Sequence, residues 1–290
     1  MLNPILAHAG QAPAPHDIWG AWNLDPLLLL GLVLALWIHR RGRPDAQRAT
    51  LFTAAVAAVA VALVSPLDAM SNALASAHMV QHLLLVLVAA PLLALSAPSG
   101  ALLRGSPRVA RRAAVRTRRR LGLDRALLRF LRAPVAVSLR HAAALWFWHG
   151  SVPYDAALRS HPLHVLEHAS FLVTGLLFWG VVLGRRTASR VSNGYAVLLV
   201  FAMAMQSVVL ALLLTFAPTP WYSSYTTTTR AWGLAPLADQ QLAGAIMWVP
   251  AGLFYTGVAL ALFAAWLNRS EAGTVPAPRK VPPMPARTER

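Results

Sequence analysis

Residues 76–98 read S-A-H-M-V-Q-H-L-L-L-V-L-V-A-A-P-L-L-A-L-S-A-P. The second half of this stretch is almost wholly apolar, and the run from about Met70 exceeds the roughly 20 residues that cross a bilayer as a helix. Its first half nevertheless carries His78, Gln81 and His82. At 3.6 residues per turn the two histidines stand one turn apart on one face, with rings about 6 Å apart along the axis. Imidazole in hydrocarbon is costly and turns toward the interior of a bundle, so such a pair marks a functional site. The alternative is a single interhelical hydrogen bond from each ring, worth about 0.6–2 kcal/mol.

The rest of the chain has the same character. Of 290 residues 57% are hydrophobic and 12% charged, against about 25% charged in soluble domains. Long apolar runs recur, which makes this an all-α, polytopic membrane protein. A formal charge of +16 would suit nucleic acid, but the arginines cluster at the ends of apolar runs, as orientation signals do, so no nucleic-acid partner is expected. The chain has no cysteine, which excludes disulfides, thiolate metal sites, iron–sulfur clusters and cysteine nucleophiles. Any metal must be held by His, Met, carboxylate or water. The first ten residues lack a basic n-region and a full apolar h-region, so no cleaved signal peptide is expected.

Seven spans are expected, at about 19–38, 49–64, 70–95, 134–149, 161–183, 194–216 and 239–267, forming one membrane domain over 19–267. Ahead of it lies an arm, 1–18, with His8, His16 and Asp17. Within it, 99–133 is a basic loop with eleven arginines, whose last part, L-D-R-A-L-L-R-F-L-R, fits either an anionic membrane-lipid surface or solvent. Behind it, 268–290 is a Pro-rich basic tail with a disordered composition. Pro91 is expected to bend the third span. Loops 1–2, 3–4 and 5–6 hold four, eleven and three Lys or Arg and the tail five, or 23 of the chain's 26. The positive-inside rule then places the N-terminus outside and the C-terminus in the cytoplasm.

That orientation gathers scattered histidines into one outer layer. His78 and His82 fall in the outer half of the third span, and His149 at the outer end of the fourth. His161, His164 and His168 open the fifth within about 60° of arc, with Glu167 on the flank. Asp239, Gln240 and Gln241 open the last span, and Met70, Met79 and Met247 also lie in outer halves. His39 and His141 instead stand beside arginines near the cytoplasmic ends, where Arg140 can snorkel. Imidazole suits copper, zinc, iron and nickel, and thioether favours reduced copper, while a carboxylate can fix a ring tautomer. The H-M-V-Q-H spacing lacks the glutamate of a zincin helix, so metalloprotease chemistry is not expected. Structural hydrogen bonding remains the alternative to metal or haem.

Five segments resemble the cytochrome c oxidase assembly factors of the CtaG type, named for caa-type oxidases. They are H-M-V-Q-H-L-L-L-V-L-V-A-A-P-L-L-A-L-S-A-P; L-W-F-W-H with Y-D-A-A-L; H-P-L-H-V-L-E-H-A-S-F-L-V-T-G-L-L-F-W; L-L-T-F-A-P-T-P-W-Y-S-S-Y; and D-Q-Q-L-A-G-A-I-M-W-V-P. They occur in order across about 19–267. The resemblance implies a multi-pass inner (plasma) membrane protein that helps an active haem–copper oxidase form. Such a protein is not an enzyme, and its partners are oxidase subunits or other copper chaperones. It points to copper handling. The expected ligands are His78, His82, His164 and His168, then His149 and His161, with Met79 as a soft contributor and Glu167 and Asp239 orienting them. His8 and His16 are candidates for first capture. A membrane haem carrier with axial histidines and a copper transporter are the alternative readings.

Overall fold

A computed structural model describes residues 13–120, 122, 130, 133–184 and 191–274. The expectations for residues 1–12 (including His8), for most of 123–132 and for 275–290 lie outside the described residues. The described residues are helical, with no strand among them. The helices are α1 (Pro26–Arg41), α2 (Ala46–Leu63), α3 (Pro66–Ser71), α4 (Ala75–Ser96), α5 (Ser99–Gly105), α6 (Arg108–Arg120), α7 (Pro134–His149), α8 (Ser151–Arg159), α9 (His161–Leu183), α10 (Asn193–Thr215) and α11 (Pro236–Thr274). Five of them, α2, α4, α9, α10 and α11, are long and apolar enough to cross a membrane. The other two apolar helices, α1 and α7, have 16 residues each. That is about 24 Å of helix against a hydrocarbon core of about 30 Å.

Several helix limits differ from the sequence expectation, two of them for a clear local reason. The first apolar helix begins at Pro26 rather than Trp19. Asp25 accepts from the N–H groups of Leu27 (2.7 Å) and Leu28 (3.0 Å), and proline at the first position is a helix start. The third begins at Ala75 rather than Met70, because α3 ends at Ser71 and Leu74 is extended. The last helix continues through 268–274, where tail was expected.

Ahead of Pro91, where a bend is expected, α4 is π-helical over Leu84–Ala89. In that pattern the Val86 carbonyl would seek the N–H of residue 91, which proline lacks. The Trp179 indole N–H of α9 supplies the missing donor at 2.8 Å.

Helix α4 is the centre of the assembly, packed against α2, α9 and α11, while α7 lies on α9 and α10. Its residues from Ala75 to His82 are buried except Val80, and its Met79 belongs to the main apolar core with Phe171, Phe178, Trp179 and Met247. The segment between α10 and α11 folds over the end of the bundle where α4 and α9 begin, and it carries Tyr222 and Tyr225 into the interior.

Candidate metal centre

The one-turn spacing of His78 and His82 on α4 brings their ring centroids to 4.3 Å. His164 and His168 on α9 stand 4.2 Å apart by the same spacing. The two helices face each other, so His78 lies 5.2 Å from His164 and 5.6 Å from His168, and His82 lies 5.4 Å from His168. His149, the last residue of α7, closes the group 5.7 Å from His82. Phe171 packs edge-on against His82 at 4.6 Å and walls the cluster on its apolar side.

Glu167 stands in the middle, fully buried. One carboxylate oxygen is 3.6 Å from Nε2 of His78 and the other 3.5 Å from Nε2 of His82. Ligand atoms of His78, His82, Glu167 and His168 all lie within 4.8 Å of one another. Glu167 therefore points into the cluster, within reach of two rings at once.

Hydrogen bonds assign the tautomers of two rings. The Tyr225 hydroxyl donates to the Ser71 carbonyl at 2.6 Å, so at 3.1 Å it accepts from Nδ1–H of His78. Nδ1–H of His149 donates to the Leu145 carbonyl at 2.7 Å. Both rings consequently present a bare Nε2 lone pair to the interior. Eight buried polar atoms of the cluster have no hydrogen-bond partner: Nε2 of His78, His149, His164 and His168, both ring nitrogens of His82, and both oxygens of Glu167. Buried polar atoms are nearly always paired. A cluster of lone pairs and one carboxylate without donors is what a cation satisfies.

The remaining candidates divide. His161, at the first position of α9, is exposed and His164 is part-exposed, whereas the other cluster rings are buried. Met79 lies in the apolar core. Asp239 meets the backbone of α4 rather than a ring. Its carboxylate accepts from the backbone N–H of Ala75 (2.6 Å) and Ser76 (3.2 Å) and from the Ser76 hydroxyl, so a residue of α11 caps the helix that carries His78. His39 and His141 were expected near an interface beside arginines, and both are buried. His39 stacks on Phe52 at 3.9 Å, and Nδ1–H of His141 donates to Thr174 at 2.9 Å.

Sequence reading missed Tyr225, Tyr222 and Tyr154, which stack beside the cluster, with Tyr154 and Tyr222 3.8 Å apart. It also missed Asp155, which ties the α10–α11 segment down by accepting from Ser223 N–H (3.1 Å), Ser224 N–H (3.1 Å) and the Ser223 hydroxyl. Burial alone would raise the pKa of Asp155, but these hydrogen bonds outweigh it and hold the carboxyl below its ordinary value.

Residues 30–269 match the family described as cytochrome c oxidase caa3 assembly factor. The chain belongs to this family. The matched region holds every residue of the cluster. The chain is also similar to uncharacterized proteins of Mycobacterium bovis and Mycobacterium tuberculosis, each 26% identical over 272 residues. The alignments cover 89% of this chain and 41% of each relative, so the chain spans well under half the length of those proteins. No solved structure matches the chain.

Proposed function

We propose that this caa3 assembly factor binds copper in its reduced state in the His/Glu cluster and supplies it to a haem–copper oxidase during maturation. The observation that carries the proposal is the convergence of eight unpartnered buried polar atoms from three helices. Imidazole and carboxylate donors accept several first-row metals, and copper binds such sites most tightly among the divalent series. The charge balance favours the monovalent form. One carboxylate offsets one positive charge, whereas a divalent ion leaves a net charge in the bundle interior, at a cost of several kcal/mol. The rings pack at 4.2–5.7 Å between centroids, which leaves no slot for a macrocycle and counts against haem.

In this reading all seven apolar helices cross the plasma membrane, with the N-terminus outside and the cluster in the outer half. The sorting of 23 of 26 Lys and Arg onto alternate connections supports that arrangement. The partners are an oxidase subunit that receives the ion and a chaperone that supplies it. The role is metal handling without catalysis.

The test has two arms. Purified full-length protein in detergent should take up Cu(I), and a His78→Ala/His168→Ala variant should lose most of that uptake. In cells, deleting the protein should abolish cytochrome c oxidase activity while quinol oxidases without the same copper need persist. His82→Ala should mimic the deletion and His141→Ala should not. Equal oxidase maturation in both variants, or loss of the His82→Ala protein from the membrane, would make the histidine layer structural and overturn the proposal.

A further inference from the structure

Helix α6 stands apart from the bundle. Seven of its 13 residues are arginine and none is acidic. Arg108, Arg111, Arg112, Arg116 and Arg119 share one face, with Val115 among them, and the helix is exposed without a break from Arg108 to Thr117. Among the described residues no ion pair joins these guanidinium groups to a carboxylate. The neighbouring sequence cannot neutralise them either, since 99–133 holds eleven arginines and one acidic residue, Asp124. Like charges three and four residues apart weaken a helix, and a helix of about 12–15 residues is marginal in water even when rich in alanine. With neither packing nor local carboxylates, α6 needs a counter-charge from outside the chain.

Its placement decides which anion. Helix α5, just ahead of it, crosses the end of α1 so closely that a Cβ on Gly105 would lie 1.9 Å from the Ile38 carbonyl oxygen and one on Gly42 1.9 Å from that of Ala101. Nε of Arg104 also donates to the Gly42 carbonyl at 3.0 Å. Because α6 follows directly after Gly105, Ser106 and Pro107, its first turn is held where the apolar run of α1 ends in His39, Arg40 and Arg41. This is the end of the bundle opposite the histidine cluster, since Ser96 at the end of α4 lies about 21 Å of helix beyond His82. Leu103 and Val109 are exposed on either side of the join. A basic helix that starts at the rim of a membrane helix meets lipid headgroups. It carries no aromatic residue, Asn or Gln to stack on bases or read them, which counts against nucleic acid.

We propose that α6 lies along the leaflet surface at this end of the bundle and that its arginines bind the phosphodiester groups of anionic phospholipids. This inference rests on the membrane placement of α1 and α4 and not on the copper reading. The guanidinium fork matches a phosphate with two parallel N–H···O bonds. From Arg108 to Arg119 the stripe runs about 16 Å, long enough to meet more than one headgroup. Anionic headgroups attract each arginine that comes within a Debye length of the surface. The opposite face is made of Ala110, Ala113 and Ala114. It lacks the large apolar side chains that would sink the helix among acyl chains, so α6 rides at headgroup level.

The test places the full chain in nanodiscs of phosphatidylcholine, with and without phosphatidylglycerol, and reads hydrogen exchange at the amides of residues 112–120. Exchange should be at least about tenfold slower with the anionic lipid, and about 1 M NaCl, which screens charge beyond about 3 Å, should remove the difference. An Arg111→Gln/Arg112→Gln/Arg116→Gln variant should lose the lipid dependence, while unchanged protection of α1 and α5 reports an intact bundle. Should that variant not accumulate, the salt arm on wild type takes its place. Equal exchange of wild type in both discs, or a variant protected as well as wild type, overturns the proposal. So does equal protection in phosphatidylcholine discs by inorganic phosphate or a DNA duplex at matched phosphate concentration, which would make α6 a general anion or nucleic-acid surface. Copper is absent from every arm, so the outcome is separable from the copper reading.

Discussion

Removing the Asp239 carboxylate should loosen the helix that carries His78 and His82. Asp239 is fully buried and meets the first turn of α4 from a position 164 residues away in sequence. The start of a helix has backbone N–H groups with no intrahelical partner, and here solvent does not reach them. Asp239→Ala strands the N–H of Ala75 and of Ser76, each costing roughly 1–3 kcal/mol when buried and unpaired. The Ser76 hydroxyl can rotate to another acceptor, and losing a buried carboxylate returns part of the cost, so the net loss should be about 3 kcal/mol. Asp239→Asn keeps one oxygen for the Ala75 N–H and should recover about half of this. The control is Asp45→Ala in the exposed cap of α2, where the carboxylate accepts from the Arg48 N–H at 2.9 Å; exposed caps are worth about 1 kcal/mol.

Reversible SDS unfolding in mixed micelles would rank the three variants, and Cu(I) affinity measured on the folded fraction would show whether a displaced α4 weakens the site. An Asp239→Ala protein as stable as the Asp45→Ala control, with wild-type affinity, would refute the view that this carboxylate sets the position of the His-bearing helix.

Asp155 gives a pH prediction. Its pKa is held below the ordinary carboxylate value, so its contribution is fully present above the unfolded carboxylate's titration and fades only as pH falls through the lower folded value. Hydrogen exchange at Ser223 and Ser224 should therefore stay protected, after correction for intrinsic rates, from about pH 7 to about pH 5, while Asp155→Asn should raise exchange throughout that window. Packing at the other end of the bundle is testable with alanine. A Cβ on Gly105 would lie 1.9 Å from the Ile38 carbonyl oxygen, and one on Gly42 1.9 Å from that of Ala101, so either change must part α1 from α5 and should cost about 1–3 kcal/mol. Gly31→Ala, with nothing within 4 Å, should be neutral. Cysteine labelling should reach Val152→Cys and Thr227→Cys from outside and Arg116→Cys from the cytoplasm only; outside labelling of Arg116→Cys would overturn the orientation.

What the sequence reveals of this site is what helical periodicity encodes. His78 with His82, and His164 with His168, are legible because one turn separates each pair. Helix order then makes His149 a neighbour. Glu167 is visible as a flanking residue, but its aim between His78 and His82 is not, because that depends on how far α9 is rotated against α4. Tyr225 is illegible in principle, and for Asp239 the sequence offers a carboxylate on the right side of the fold but not its target, the backbone of α4. Their partners, His78 with Ser71 and Ala75 with Ser76, lie far away in the sequence, and no local pattern records a cap or a hydroxyl supplied across such a separation. The start of α1 was misplaced for a different reason. Hydropathy counts Trp19 and Trp22 as apolar span, yet both indoles are exposed ahead of an Asp25-Pro26 helix start, and that local signal outranks the apolar average.

The contacts that fix the proposed donors would also restrict how an ion reaches them. The α10–α11 segment is fastened to the bundle on several sides. Tyr225 holds His78 and Ser71, the Tyr222 hydroxyl donates to the His149 carbonyl at 3.0 Å, and Thr228 donates to the Ala73 carbonyl at 2.9 Å. Two of the three helices that supply donors are thus pinned by one segment, and opening it would release the tautomer of His78 as well as uncover the cluster. For the copper proposed above, helix α9 would offer a path that leaves those contacts in place. Along it, burial deepens from exposed His161 through part-exposed His164 to buried His168. His161 stands three residues before His164 on the same helix, and His164 lies within ring contact of both His78 and His168. A stripe of imidazoles one turn apart lets an ion exchange donors stepwise, so it is never stripped of all its ligands in a low-dielectric interior, where a bare charge costs most.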